Sequence, residues 1–306
     1  MLDLIIIGAG PAGLAASVYA ARKRLKFLVL SRDLGGKSNY SIKLPEMEDH
    51  QVIRAKELVT IYKSRLEYLR QSYRLEAVRT LAHEGGAFTV TTAKGATDTA
   101  RAVLIASGSK NRRLDIPGEG KFLSRALGYS SISYSHLFDG KHVFLTGDSD
   151  RVLNSALELS IQSDRVTLLL LSGGRYAEGL LDPVKSLRGV EVIEEGKVKE
   201  FTGDEFATGA VIEASGEERI ITADGFFVEL EPTAYTEFVE SVIELKDGGF
   251  VPVDENCMTS LPGLFAAGDV TGHCCEQVLV ALGDGAKAAL SAYRHLLGND
   301  YISPQT

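Results

Sequence analysis

Leu4-Ile5-Ile6-Ile7-Gly8-Ala9-Gly10-Pro11-Ala12-Gly13 is the stretch on which the reading of the whole chain turns. Four apolar, mostly β-branched residues with no polar break predict a buried parallel strand. The small residues beyond Gly13 predict an alanine-rich helix of about five turns. Gly8 permits the tight turn between them, Gly10 lets a pyrophosphate approach the backbone, and Gly13 lets helix and strand pack closely. The N–H groups left free at the helix start, with the positive end of its dipole, then meet the phosphates. A Gly-x-Gly-x-x-Gly alone also suits a turn whose glycines serve only packing. The strand before it and the helix after it favour a dinucleotide site.

Working outward, 306 residues with 44% hydrophobic and 24% charged content describe an ordinary globular chain of two domains. A net charge of −8 without clustered Lys and Arg argues against a general nucleic-acid binder. Arg22-Lys23-Arg24 reads as a solvated helix end. No apolar run approaches the ~20 residues of a membrane span. The first strand begins at once, so no leader is expected ahead of it and the cytoplasm is the expected compartment. Cys257, Cys274 and Cys275 are too few for a disulfide framework, and in a reducing compartment a thiol pair is more readily catalytic than structural.

Phe27-Leu28-Val29-Leu30 predicts a second parallel strand, with Ser31 where a nicotinamide-binding domain would end it on an acidic residue for the ribose. Residues 54–68 have helical spacing, 88–92 alternate as a half-exposed strand, and 101–106 read as a buried strand ending at Ser107-Gly108-Ser109. A second strand, turn and helix start near His142, run through Gly147-Asp148-Ser149-Asp150, and continue to Leu159, with a partner strand at 166–171. This echo keeps the architecture of the first unit and changes its chemistry. Ser149 stands where close approach needs glycine, and Asp148 and Asp150 repel a diphosphate. Alternating strands follow Gly189, and the chain returns through 250–253 to Leu264-Phe265-Ala266-Ala267-Gly268-Asp269 and a small-residue helix over 276–297.

These motifs resemble the low-molecular-weight thioredoxin reductase family over essentially the whole chain. The carriers are Gly8-x-Gly10-x-x-Gly13, Gly35-Gly36, Ala106-Ser107-Gly108, the run from Thr259 to Asp269, and Gln277 through Gly283-Asp284-Gly285-Ala286. The resemblance implies an α/β fold with two Rossmann-like, three-layer ββα nucleotide-binding domains. FAD would be held by a discontinuous domain, residues 1–115 and 245–306, with an NADPH-type domain, 116–244, inserted between them. The FAD-binding set it implies is Gly8, Gly10, Pro11, Ala12, Gly13, Ser31, Arg32, Gly36, Lys37, Val78, Ala106, Ser107, Gly108, Gly268, Asp269, Glu276 and Gln277. Asp269 takes the ribityl contact in this reading, and the Glu276-Gln277 backbone takes the flavin pyrimidine edge. Glu276 stands where the family has Arg, which changes the charge expected there.

The inserted domain departs from the family where its catalysis lives. The redox Cys-x-x-Cys falls on Ser130-Ser131-Ile132-Ser133, and serine forms no disulfide. The NADPH glycines are reduced to Gly147, Ser149 and Val152, and the cations for its 2′-phosphate fall on Leu170-Leu171-Ser172. NADPH is therefore not an expected cofactor.

Cys274 and Cys275 lie between Asp269 and Gln277, which the resemblance puts beside the flavin. Adjacent cysteines close only a strained, easily reduced ring, suited to redox work. Two small buried apolar cysteines are the bland alternative. Cys257, separated from them by a strand, reaches them only if the chain folds back. Lost nicotinamide features and this thiol pair resemble a narrower group, the diflavin-linked disulfide oxidoreductases of oxygenic photosynthetic prokaryotes. That resemblance implies a second FAD per chain, for which the aromatic and serine stretch 129–134 offers a lining or is ordinary packing. It also implies electron flow from a thiol or dithiol substrate, small or protein, to an acceptor that the sequence does not name, and a homodimer. Competing readings are a one-FAD enzyme reduced by a carrier such as ferredoxin, and an FAD-binding scaffold without catalysis.

Overall fold

The structure is a computed structural model and describes residues 1–45, 55–68, 72–272 and 276–298. The first half runs β1 (Leu2–Ile7), α1 (Pro11–Arg22), β2 (Phe27–Ser31), α2 (Ala55–Tyr68), β3 (Tyr73–Leu75), β4 (Val78–Glu84), β5 (Ala87–Thr92), β6 (Thr97–Ile105), β7 (Ser109–Lys110), α3 (Glu119–Phe122) and β8 (Leu127–Gly128). Then follow β9 (His142–Gly147), α4 (Asp150–Gln162), β10 (Arg165–Leu171), α5 (Glu178–Lys185), β11 (Val190–Gly203), β12 (Ala207–Ala214), β13 (Glu217–Thr222), β14 (Gly225–Glu229), β15 (Thr233–Ala234), β16 (Leu264–Ala266) and α6 (Val278–Leu296).

Two compact units result, one of Met1–Asn39, Arg54–Lys110 and Thr233–Thr306, the other of Tyr40–Ile53 and Asn111–Pro232. These limits differ from the expected 115 and 244. The outgoing β7 pairs antiparallel with the returning β15, Ser109 opposite Ala234 and Lys110 opposite Thr233, and that ribbon fixes where the first unit lets the chain go and takes it back. Lys43 bridges to Arg125, which ties the stretch after residue 39 to the second unit.

In the first unit the strand order is β3-β2-β1-β6-β5-β4, with β16 also on β6. β1 pairs parallel with β2 and β6. Its side chains alternate between two cores, Leu4 and Ile6 on one face and Ile5 and Ile7 on the other. A strand covered on both faces needs no polar residue, hence the unbroken run. α1 has 12 residues and not the expected five turns. It ends at Lys23, and Arg24 adopts φ 57°, because the chain must reverse to enter β2 at Phe27 whatever the local helix propensity. α6 begins at Val278, two residues later than expected, with Gln277 at its N-cap.

The second unit has strand order β13-β12-β11-β10-β9-β14-β8. The neighbours from β11 to β8 are parallel, and β12 and β13 form an antiparallel meander. Val152, Leu153, Ala156 and Leu159 give α4 a fully buried stripe on the sheet. Among the described residues no helix is long and apolar enough to cross a membrane.

Candidate functional site

In an open parallel sheet, ligands bind beyond the carboxyl ends of the strands where the strand order reverses. In the first unit that point lies between β1 and β6, since β2 extends the sheet on one side of β1 and β6 on the other. Gly8 turns there with φ 106°, and any Cβ on it would collide with the Ala106 carbonyl oxygen. A Cβ on Gly13 would strike the Gly8 carbonyl oxygen. Gly10 differs from both: its backbone is extended, φ −70° and ψ −173°, and no atom lies within 4 Å of where a Cβ would sit. Pro11 occupies the first helical position, and among the described residues no side chain caps α1 and no acid sits in its first turn. The cradle is open and its helix N–H groups are uncovered, which fits a dinucleotide diphosphate.

Ser31 braces the turn: its hydroxyl accepts the Ala9 N–H at 3.0 Å. The loop after β2 lies on the same turn, with the Gly35 N–H on the Ala9 carbonyl at 2.7 Å and the Gly36 N–H on Asp33 Oδ1 at 2.8 Å. From this loop Lys37 reaches the far side of the crevice. Its ammonium donates to Ser109 Oγ at 2.7 Å, Glu276 Oε1 at 2.9 Å and Asp269 Oδ2 at 3.1 Å. Ser109 also donates to Glu276 Oε1 at 2.8 Å. Asp269 and Glu276 were expected at the site. The bridging of both by the single Lys37 ammonium, and the part of Ser109, were not.

Other expected residues border this crevice or lie apart from it. Ala106, next to β6, packs under Gly8. Ala12 lies in the helix-side core against Gly268 and Gly285. Ser107 donates to the Tyr235 carbonyl at 2.6 Å, and Gly108 is open with φ 74°. The exposed Arg32 lies over the Tyr235 ring, 5.2 Å from its centroid. Val78 opens β4 and packs, half-buried, in the core on the opposite sheet face from α1.

Cys274 and Cys275 lie outside the described residues. The condition set for Cys257, that the chain fold back along the intervening strand, is met. Met258 bridges to Phe265, and the Cys257 carbonyl accepts the Ala266 N–H at 3.0 Å. The Cys257 side chain is buried, and burial pushes its thiol up to about 11, so it is a poor nucleophile near neutrality.

The second unit's turn is arranged differently. Ser149 caps α4 by accepting the Arg151 N–H at 3.4 Å and donates to Glu231 at 2.8 Å. Asp150 accepts the Ala177 N–H at 2.8 Å, and Asp148 pairs with Arg112 at 2.8 Å. Tyr176 donates its hydroxyl to the Gly147 carbonyl at 2.7 Å, and burial pushes that hydroxyl up to about 12. A Cβ on Gly147 would lie 2.5 Å from the Glu229 carbonyl oxygen. The Glu229 carboxylate, 1% exposed, takes the Ser131 N–H at 2.6 Å, the Ser131 hydroxyl at 2.7 Å and Arg151 Nε at 2.8 Å. The missing glycines are legible in the sequence, but the partners that meet at this turn are not, because they come from separate loops.

Tyr129 and Tyr134 pack against the second unit's core, and Tyr129 donates to the buried Glu119 at 3.1 Å. Ser130 Oγ and Ser133 Oγ lie 3.0 Å apart. Side chains already in contact suit a disulfide, so Ser130→Cys/Ser133→Cys should lose two titratable thiols on mild oxidation and regain them with reductant.

Two doubly wound nucleotide-binding units, arranged along the chain as in thioredoxin reductases, are the class that this fold defines. A model of the family described as pyridine nucleotide-disulphide oxidoreductase matches residues 2–285, and the chain belongs to that family. One subunit of the alkyl hydroperoxide reductase of Staphylococcus aureus is 30% identical over 306 aligned positions, 97% of this chain and 59% of that protein. The corresponding protein of Pseudomonas putida is 32% identical over 302, 96% of this chain and 58% of its own. The chain thus spans about three-fifths of the length of the curated relatives it matches. The solved thioredoxin reductase of Streptococcus pyogenes is similar with a TM-score of 0.88 at 28% identity, covering 97% of this chain and 99% of that one.

Proposed function

We propose that the chain is an FAD-dependent thiol–disulfide oxidoreductase that does not draw its electrons from NADPH. The observation that carries this reading is the contrast between its two turns. At Gly10 the cradle is open and no acid stands in the first turn of α1. At Ser149 the helix start is capped from within and ringed by Asp148, Asp150 and Glu231. A diphosphate is favoured at the first and repelled at the second.

In the first unit, the uncovered N–H groups of α1 would hold the diphosphate, Asp269 and Ser109 would offer polar contacts beyond it, and Gly8 and Gly13 keep the turn tight. Bound FAD would supply the two-electron acceptor for a dithiol. A substrate thiolate attacks the Cys274–Cys275 disulfide, the mixed disulfide is resolved by the substrate's second thiol, and the pair is left as two thiols while the substrate leaves oxidised. The finer reading gives the chain a second FAD, as in the diflavin-linked enzymes, and a homodimeric assembly.

The test is to release and count flavin per chain, then to titrate the native protein anaerobically with NADPH and with a dithiol. About two flavins, bleached by dithiol and untouched by NADPH, support the full reading; one flavin bleached by dithiol alone supports the thiol oxidase without its second cofactor. Bleaching by NADPH overturns the independence from it. Cys275→Ser should abolish reduction by dithiol, and unchanged reduction removes the cysteine pair from the mechanism.

A further inference from the structure

The Lys37 cluster does more than hold a loop. In a dinucleotide fold the adenosine half runs toward the end of β2, here Ser31 and Arg32, so the other half must run across β1 to the ends of β6 and β16. Ser109, Asp269 and Glu276 stand at that side, and Lys37 reaches it from the loop laid over Gly10, where a Cβ on Gly36 would sit 3.2 Å from the Gly10 Cα. All three ammonium hydrogens are engaged. The two carboxylates are only 17% and 14% exposed, so solvent screens them less than surface charges.

We propose that Lys37 is a positioning residue that sets the reduction potential of the bound FAD, by holding one positive charge between Asp269 and Glu276 at the redox half of the crevice. The inference rests on the FAD reading above. A reduced flavin carries more electron density than an oxidised one, so a nearby cation favours reduction and a nearby carboxylate opposes it. Without Lys37, that positive charge is lost beside Asp269 and Glu276 and the FAD becomes harder to reduce. Without the Glu276 charge it becomes easier. A salt bridge that served only stability would alter unfolding and leave the potential alone.

The experiment reconstitutes wild type, Lys37→Met, Lys37→Arg and Glu276→Gln with FAD, counts the flavin, and equilibrates each with a reference dye during slow reduction. Lys37→Met should shift the flavin–dye equilibrium about tenfold toward oxidised flavin, about 30 mV lower for a two-electron couple. Glu276→Gln should shift it in the opposite direction, and Lys37→Arg should stay within about threefold of wild type, because the charge is kept. Potentials unchanged within about twofold, or both substitutions shifting the same way, overturn the role of Lys37 while the FAD site stands. If Lys37→Met fails to hold FAD, Lys37→Gln takes its place: a shift of about tenfold toward oxidised flavin supports the proposal, and one within about twofold overturns it. A wild-type chain that takes up no FAD overturns the reading beneath it and this inference together.

Discussion

Gly10→Val is expected to give a folded chain that no longer retains FAD. The backbone at Gly10, φ −70° and ψ −173°, is open to any residue, and a Cβ there meets nothing within 4 Å. Valine therefore costs the protein little, and its thermal midpoint should stay within about 2 °C of the wild-type apoprotein. The same empty volume is where a diphosphate would meet the first N–H groups of α1. Filling it should weaken FAD at least ~100-fold, about 3 kcal/mol, by equilibrium dialysis. Gly13→Val makes the opposite trade: its Cβ would enter the Gly8 carbonyl, so it should destabilise the unit by about 3 kcal/mol before any ligand is added. A Gly10→Val chain with wild-type FAD affinity would remove the dinucleotide from this turn. The pair of variants separates a glycine kept for a ligand from one kept for packing.

That separation also marks what was legible in the sequence. β1 and its turn could be read because their causes are local: a strand buried on both faces is apolar throughout, and a reversal at φ 106° demands glycine at position 8. The end of α1 could not, since helix propensity continues past Arg22 and only the need to reach β2 stops it. Lys37 and Asp269 are 232 residues apart and meet because the sheet sets β16 beside β6. Neither residue carries a local sign of the other. The hairpin returning Cys257 to Ala266 is likewise a tertiary bridge, inside a stretch that reads as one passing strand. In the second unit the losses at Ser149 and Val152 were visible, but Glu229 was not. Composition assigns glutamate to the surface, and only the partners supplied by Ser131 and Arg151 make its burial tolerable.

Glu229→Ala should accordingly destabilise the second unit strongly, by about 3 kcal/mol in a urea titration. The carboxylate is 1% exposed and accepts three hydrogen bonds. Alanine deprives the Ser131 N–H and hydroxyl of their acceptor inside the core and takes the carboxylate away from the Arg151 guanidinium. Arg151 is 21% exposed and recovers part of its solvation, which holds the cost near the lower end of the range for broken buried pairs. Glu229→Leu with Arg151→Leu should recover part of the loss, since an apolar pair of similar volume avoids the desolvation of both ions. A loss below about 1 kcal/mol for Glu229→Ala would mean that the network is solvated and not a core element. If the flavin is independent of NADPH as proposed, neither variant should make it reducible by NADPH. Asp148, Asp150 and Glu231 still surround the start of α4, and Tyr176 still covers the Gly147 carbonyl. On the proposed reading the repulsion of a diphosphate belongs to that ring of acids, while Glu229 holds the frame on which the ring is built.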